Sequence, residues 1–93
     1  MQKIYSSNSY HVYGQALDYN LGPSTANYNL AIFAKTLSGA TEIILYADDP
    51  KDDPKKESKY WVRYRNSDGD IIDGKVPLPG VIDYKHGHVG WRP

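Results

Sequence analysis

The pattern of apolar and polar residues predicts one helix near the middle of the first half of the chain. Apolar residues recur at helical spacing over 25–38. The Ser24 hydroxyl is placed to cap the first turn, and Gly39 is placed to end the helix in a left-handed conformation. The face predicted to pack inward consists of Ala26, Leu30, Phe33 and Leu37.

Most of the remaining pattern is typical of strands. Residues 42–47 are almost continuously apolar, which predicts a central strand. The segments 59–65 and 70–73 flank a turn with glycine at position 69, which predicts a hairpin. Further strands are predicted within 9–19 and at 81–84. This order predicts a single α+β domain over residues 1–93, with one helix packed on a mostly antiparallel sheet of four to five strands.

Two segments are expected to lie outside the packed core. Residues 48–58 combine dense charge with two prolines, which predicts a solvent-exposed loop. Residues 85–93 contain glycines at positions 87 and 90, and we expect them to form an extended C-terminal tail.

Composition narrows the classes of function. The 11 basic and 11 acidic residues cancel, so the clustered positive charge that supports general DNA binding is missing. No apolar run approaches the roughly 18 residues of a membrane span, and the N-terminal residues lack the apolar core of a signal peptide. The chain has no cysteine, which is typical of a cytoplasmic protein and excludes thiolate metal sites.

The strand predicted at 59–65 carries aromatic residues on both faces, so its period alone does not decide which face is buried. One arrangement buries Tyr60, Val62 and Tyr64. The other buries Trp61 and leaves the tyrosines outside.

The first arrangement exposes a row of arginine and tryptophan, a composition typical of binding hot spots and of sites that stack a nucleobase. We expect such a surface because arginine is costly to bury without a carboxylate partner. The predicted ligand- or partner-binding residues are Trp61, Arg63, Arg65, Trp91 and Arg92.

The histidines provide a second hypothesis. His86 and His88 share one face if their segment is extended, and with His11 they could act as acid and base in a small metal-independent ribonuclease of the toxin type. The neutral net charge weighs against a polyanionic substrate. No third ligand follows at a diagnostic spacing, so we predict neither a metal site nor a cofactor.

The leading hypothesis is a non-catalytic binding or inhibitor module. It would occupy a protein partner or sequester a small anionic, nucleotide-like ligand, and homo-oligomerisation stays open. Nine tyrosines against one phenylalanine suit such half-buried contact positions. In size, neutrality and lack of a catalytic motif, the chain resembles the small inhibitors that phages encode against bacterial defences, which would imply the host cytoplasm as its location.

Overall fold

A computed structural model describes residues 15–48 and 57–91 of the chain, and these contain one helix and five strands. The elements in chain order are β1 (Ala16–Tyr19), α1 (Ser24–Ala34), β2 (Glu42–Asp48), β3 (Glu57–Arg65), β4 (Ile71–Asp73) and β5 (Tyr84–Gly90). The strands form one antiparallel sheet in the order β1-β5-β2-β3-β4, and α1 packs against β5 and β2. The predicted α+β class and the predicted number of strands are confirmed.

The expectation of an extended tail at 85–93 is corrected, because this segment forms β5 as far as Gly90. Strand β5 lies between β1 and β2 and bonds to both of them. Its glycine at position 87 has a packing role: a Cβ there would overlap the ring of Tyr19. A residue that suggested flexibility in the sequence therefore marks close packing between two strands.

The helix ends earlier than predicted, and its most buried residues are not the predicted ones. It stops at Ala34, and its buried residues are Asn27, Ala31 and Ala34, whereas Phe33 is 57% exposed. The small side chains of the alanines allow the helix to approach the sheet closely. Alanine is only weakly apolar, so these positions add little to the apolar periodicity of the sequence. The prediction of the inward face was therefore right only in part: Leu30 and Leu37 are partly buried and pack against the core, but they do not form the buried centre of the face.

The predicted capping role of Ser24 is also wrong. Pro23 occupies the N-cap position, and no side chain caps the first turn. The Ser24 hydroxyl instead donates to the carbonyl of Ile82 at 3.2 Å and accepts from the backbone N–H of Tyr84 at 2.8 Å. These bonds join the start of α1 to the segment that leads into β5.

The core lies between α1 and the inner face of the sheet. Its largest fully buried apolar side chains are Tyr84, Ile43, Leu45 and Val62. Tyr84 is flanked by two further tyrosines: Tyr28 stacks on it with a centroid distance of 6.1 Å, and Tyr60 meets it edge-on at 5.6 Å. Burial raises the pKa of Tyr84 to about 12, so its hydroxyl stays protonated. Tyrosine thus supplies part of this small core.

The hairpin predicted around 66–69 is confirmed as β3 and β4, with Gly69 at a φ of 86°. The ends of the predicted charged loop belong to strands, since Asp48 ends β2 and Glu57 begins β3. The rest of that loop, 49–56, lies outside the described residues, as do residues 9–14 of the first predicted strand. Among the residues that are described, no helix is long and apolar enough to cross a membrane.

Candidate functional site

Strand alternation gathers polar and aromatic side chains on the sheet face opposite α1, called here the second face. The registers pair Asp18 with His88, Ile44 with both His88 and Trp61, and Tyr46 with His86. Paired residues in antiparallel strands share a face, so all of these side chains lie on the second face. Its members come from β1, β5, β2 and β3.

His88 lies between two carboxylates on the second face. Its Nδ1 is 2.8 Å from Oδ1 of Asp18, and its Nε2 is 2.8 Å from Oε1 of Glu42. Only 7% of the residue is exposed. Both ring nitrogens must carry a proton to donate to both carboxylates, so the geometry fits an imidazolium.

The electrostatics agree with this assignment. Burial by itself lowers the pKa of His88, but the hydrogen bonds and charges of Glu42 and Asp18 outweigh burial and raise the pKa above its usual value. A charged histidine with both nitrogens occupied offers no lone pair to a metal ion. Within the described ranges, no group of three or more histidine, aspartate or glutamate side chains is placed to hold a metal.

His86 has a different environment from His88. Its Nε2 lies 2.6 Å from Oε2 of Glu57, and its ring stacks on Tyr46 with centroids 4.3 Å apart and planes 8° apart. Burial, followed by the charges of Asp18, Glu42 and Glu57, raises the pKa of Tyr46. The two histidines that the sequence placed on one face are therefore each tied to carboxylates.

Beside this polar cluster is an open cleft of about 500 Å³, lined by Thr41, Glu42, Trp61, Tyr64 and Arg65. The rings of Trp61 and Tyr64 meet edge-on, with centroids 6.3 Å apart and an angle of 74° between their planes. Trp61 is 40% exposed, which is unusual for so large a ring. The cleft therefore has an aromatic wall that is accessible to a ligand.

The irregular pairing of β3 builds that wall. The register between β2 and β3 shifts between Ile43 and Ile44, whose partners are Arg63 and Trp61. Tyr60 and Val62 pack into the core, as in the first of the two sequence arrangements, but Tyr64 joins Trp61 in the cleft. Gly74 permits this packing, because a Cβ there would overlap the backbone carbonyl of Trp61.

The two arginines of β3 have different roles. Nε of Arg63 is 2.6 Å from Oδ1 of Asp73, and its Nη1 donates to the carbonyl of Ala40 at 3.1 Å. This pairing lowers the pKa of Asp73, chiefly through the Arg63 hydrogen bond. Arg65 lines the cleft and donates to the carbonyl of Gly69 at 3.0 Å, and in the described part of the chain it has no carboxylate partner.

The structure brings together only part of the predicted binding set. Trp61 and Arg65 meet in the cleft, whereas Arg63 joins β3 to β4 and to the start of β2. Trp91 packs against the hydrophobic core, next to Gly39, on the other side of the sheet. Arg92 and His11 lie outside the described residues.

Thr41, Glu42 and Tyr64 complete the cleft, and sequence reasoning assigned neither Thr41 nor Glu42 to a site. Glu42 begins β2 and Thr41 directly precedes it, and β2 meets β3 only through long-range pairing. Glu42 gave a recognisable signal in one respect: it is the charged residue that directly precedes the apolar run of β2.

No protein-family model, no curated protein and no solved structure matches this chain. Functional inference therefore depends on the geometry of the second face.

Proposed function

We propose that the protein is a binding module that holds a small anionic ligand with a flat aromatic ring, such as a nucleotide, in the cleft. The observation that supports this most directly is the presence of Trp61, Tyr64 and Arg65 in one accessible cleft. Aromatic rings and a guanidinium are the groups that nucleotide ligands need, for the base and for the phosphate respectively.

The aromatic wall supports the base-binding part of the proposal. Stacking of a base on an aromatic side chain contributes about 1–3 kcal/mol and tolerates different bases. Trp61 presents a ring that is 40% exposed, and Tyr64 supports it edge-on. A planar ligand would cover apolar surface that is otherwise in water.

Arg65 supports the anionic part. Its guanidinium has five N–H donors, and one terminal nitrogen is used by the carbonyl of Gly69. The remaining donors suit a phosphate, which arginine can bind with two parallel hydrogen bonds. The cleft volume of about 500 Å³ lies within the range of small-molecule sites.

The second face favours binding over phosphodiester cleavage. Asp18 and Glu42 enclose His88, and Glu57 bonds to His86, so the two candidate catalytic histidines that the structure describes are accompanied by negative charge. These carboxylates would repel a phosphate that was brought up to either histidine for cleavage. Both ring nitrogens of His88 are also hydrogen-bonded to carboxylates. To act as a catalytic acid or base, His88 would first have to break one of these bonds.

Isothermal titration of the protein with nucleoside monophosphates tests the proposal. We expect Trp61→Ala and Arg65→Ala each to raise the dissociation constant by about thirtyfold, the effect of losing a hot-spot contact of about 2 kcal/mol. Arg63→Ala is the matched control, because this arginine lies on the same strand and its side chain does not line the cleft. It should keep the affinity of the wild type while lowering the melting temperature.

Normal binding by Trp61→Ala and Arg65→Ala, or no nucleotide binding by the wild type, would refute the assignment of the cleft. A parallel incubation with total RNA in EDTA separates the ribonuclease alternative. RNA cleavage that is lost in His86→Ala or His88→Ala would overturn the binding proposal in favour of catalysis.

A further inference from the structure

We infer that Asn66, in the turn between β3 and β4, positions Arg65 to bind the phosphate of the ligand, so that the cleft prefers a nucleotide to the corresponding nucleoside. This inference rests on the proposed function and specifies the part of the ligand that the turn recognises. It depends on one juxtaposition: the side chains of Arg65 and Asn66 bond to opposite ends of the same peptide group.

The peptide group between Gly69 and Asp70 connects the two side chains. Its carbonyl accepts from Nη1 of Arg65 at 3.0 Å, and its N–H donates to Oδ1 of Asn66 at 2.9 Å. The C=O and N–H of a trans peptide lie in one plane and point in opposite directions. Asn66 therefore fixes the direction in which the carbonyl meets Arg65. The bond from the N–H also polarises the carbonyl and strengthens its bond to the guanidinium.

Further hydrogen bonds of Asn66 hold this peptide group in place. Its Oδ1 also accepts from the N–H of Asp68 at 3.0 Å. Its backbone N–H donates to the carbonyl of Asp70 at 2.9 Å, and its carbonyl accepts from the N–H of Gly69 at 3.0 Å. Gly69 has a φ of 86°, a conformation that glycine adopts without a steric cost. A single residue thus fixes the backbone on both sides of the carbonyl that Arg65 uses.

The bond to Gly69 leaves one edge of the guanidinium for a ligand. It uses one of the five N–H donors, at Nη1. The edge formed by Nε and Nη2 bonds to no acceptor among the described residues, and the side chain lines the cleft beside Trp61. The two parallel N–H groups of that edge match two oxygens of a phosphate. A guanidinium that is already held loses less conformational freedom on binding than a freely moving one.

Calorimetric titration of the wild type with adenosine monophosphate and with adenosine measures the contribution of the phosphate. We expect the monophosphate to bind about thirtyfold more tightly, the effect of one hot-spot contact. Arg65→Ala should reduce this ratio to about one by weakening the binding of the monophosphate alone.

Asn66→Ala should lower the ratio about tenfold, because Arg65 must then be ordered by the ligand itself. Its affinity for adenosine should stay that of the wild type, whereas a general loosening of the cleft would weaken both ligands. Ser67→Ala is the matched control, because it truncates an exposed side chain of the same turn and leaves both bonds to Oδ1 of Asn66 in place. Combined with Arg65→Ala, Asn66→Ala should have no further effect on either ligand.

A measurement on the wild type keeps the test decisive if Asn66→Ala fails to fold. The NMR order parameter of the Arg65 Nε–H group, without ligand, should lie above the value of about 0.6 that marks flexible groups. A lower value would show that the turn does not hold the guanidinium, and would overturn the inference.

The inference and the proposed function fail in different ways. If Arg65→Ala removes the preference for the monophosphate but Asn66→Ala leaves it unchanged, or weakens both ligands equally, then Asn66 does not position Arg65 and the proposed cleft stands. If neither ligand binds, or if binding is insensitive to both Trp61→Ala and Arg65→Ala, the proposed function fails and this inference fails with it.

Discussion

The side chain of Asn27 is fully buried between α1 and β5, and its polar atoms have partners. Its Oδ1 accepts from the N–H of Leu21 at 2.8 Å, and its Nδ2 donates to the carbonyl of Tyr84 at 3.0 Å. The backbone carbonyl of Asn27 also accepts from the hydroxyl of Tyr19. One asparagine thus satisfies backbone groups of two other segments, which explains why a polar residue occupies the inward face of the helix.

Protonation of the single residue His88 should make the free energy of unfolding depend on pH. Its two carboxylate partners raise its pKa in the folded state above the usual value of 6.5. A raised pKa means that the folded state binds the proton more tightly than the unfolded state does. The resulting stabilisation is complete below pH 6.5 and is lost as the pH rises through the pKa of the folded state.

We therefore expect the melting temperature of the wild type to fall as the pH is raised from 6 to the alkaline side of neutrality. The fall should occur over the pH range in which His88 loses its proton. His88→Gln should lack this component, because glutamine does not titrate. Circular dichroism melts at a series of pH values measure both slopes, and His86→Gln serves as the control that retains His88. Parallel slopes for the wild type and His88→Gln would contradict the buried imidazolium.

At the scale of elements, β1 and β5 pack tightly where the ring of Tyr19 covers Gly87. The two residues are register partners, and the Tyr19 hydroxyl reaches on to the helix at Asn27. Burial raises the pKa of Tyr19, so the hydroxyl remains a donor. This contact joins β1, β5 and α1 in one place.

Gly87→Ala should destabilise the protein by about 1–3 kcal/mol, because the added methyl group overlaps the Tyr19 ring and must displace it. The same substitution in a Tyr19→Ala background should cost much less, since the obstructing ring is gone. Urea denaturation of the four proteins in this double-mutant cycle measures the coupling. Additive effects would show that Gly87 is needed for a reason other than the ring.

Features that depend on local interactions were predictable from the sequence, whereas features that depend on long-range contacts were not. The hairpin at 66–69 and the apolar strand β2 were predictable because their signals are local: a turn glycine and a short continuous apolar run. The helix face was not, since Ala31 and Ala34 carry little apolar weight and Asn27 carries none. Neither arrangement predicted for β3 placed Tyr64 on the same face as Trp61, because the register shift opposite Ile43 and Ile44 leaves no trace in the sequence.

The candidate site followed the same division. Trp61 and Arg65 were predicted because their chemistry is evident from residue type and from their spacing on one strand. Glu42 and Thr41 join them only through the pairing of β2 with β3, which brings together segments separated by the charged region between them. Arg63 has the same chemistry as Arg65, but its guanidinium forms an ion pair with the carboxylate of Asp73 on β4.

At the scale of the whole molecule, the sheet order puts the last strand of the chain near the centre. Strand β5 bonds to β1 on one side and to β2 on the other, and α1 packs on it. The outer strand β4 has three residues, and among the described strands it pairs only with β3. Stability should therefore increase from β4 toward the β5–β2 pair.

Hydrogen exchange should show this gradient. Amides in β5 and β2 exchange only when the central sheet opens, because both strands are bonded on two sides and cover the core, whereas β4 amides exchange through local opening at an exposed edge. We expect the amides of Val89 and Leu45 to be among the slowest, and that of Ile72 to be among the fastest within the strands. Val89 and Leu45 are at most 2% exposed, which supports the ranking. Exchange measured by NMR under native conditions resolves these amides individually. Fast exchange throughout 84–90, at the rate of β4, would mean that the C-terminal segment is a loosely held tail after all, and that the core is closed by other parts of the chain.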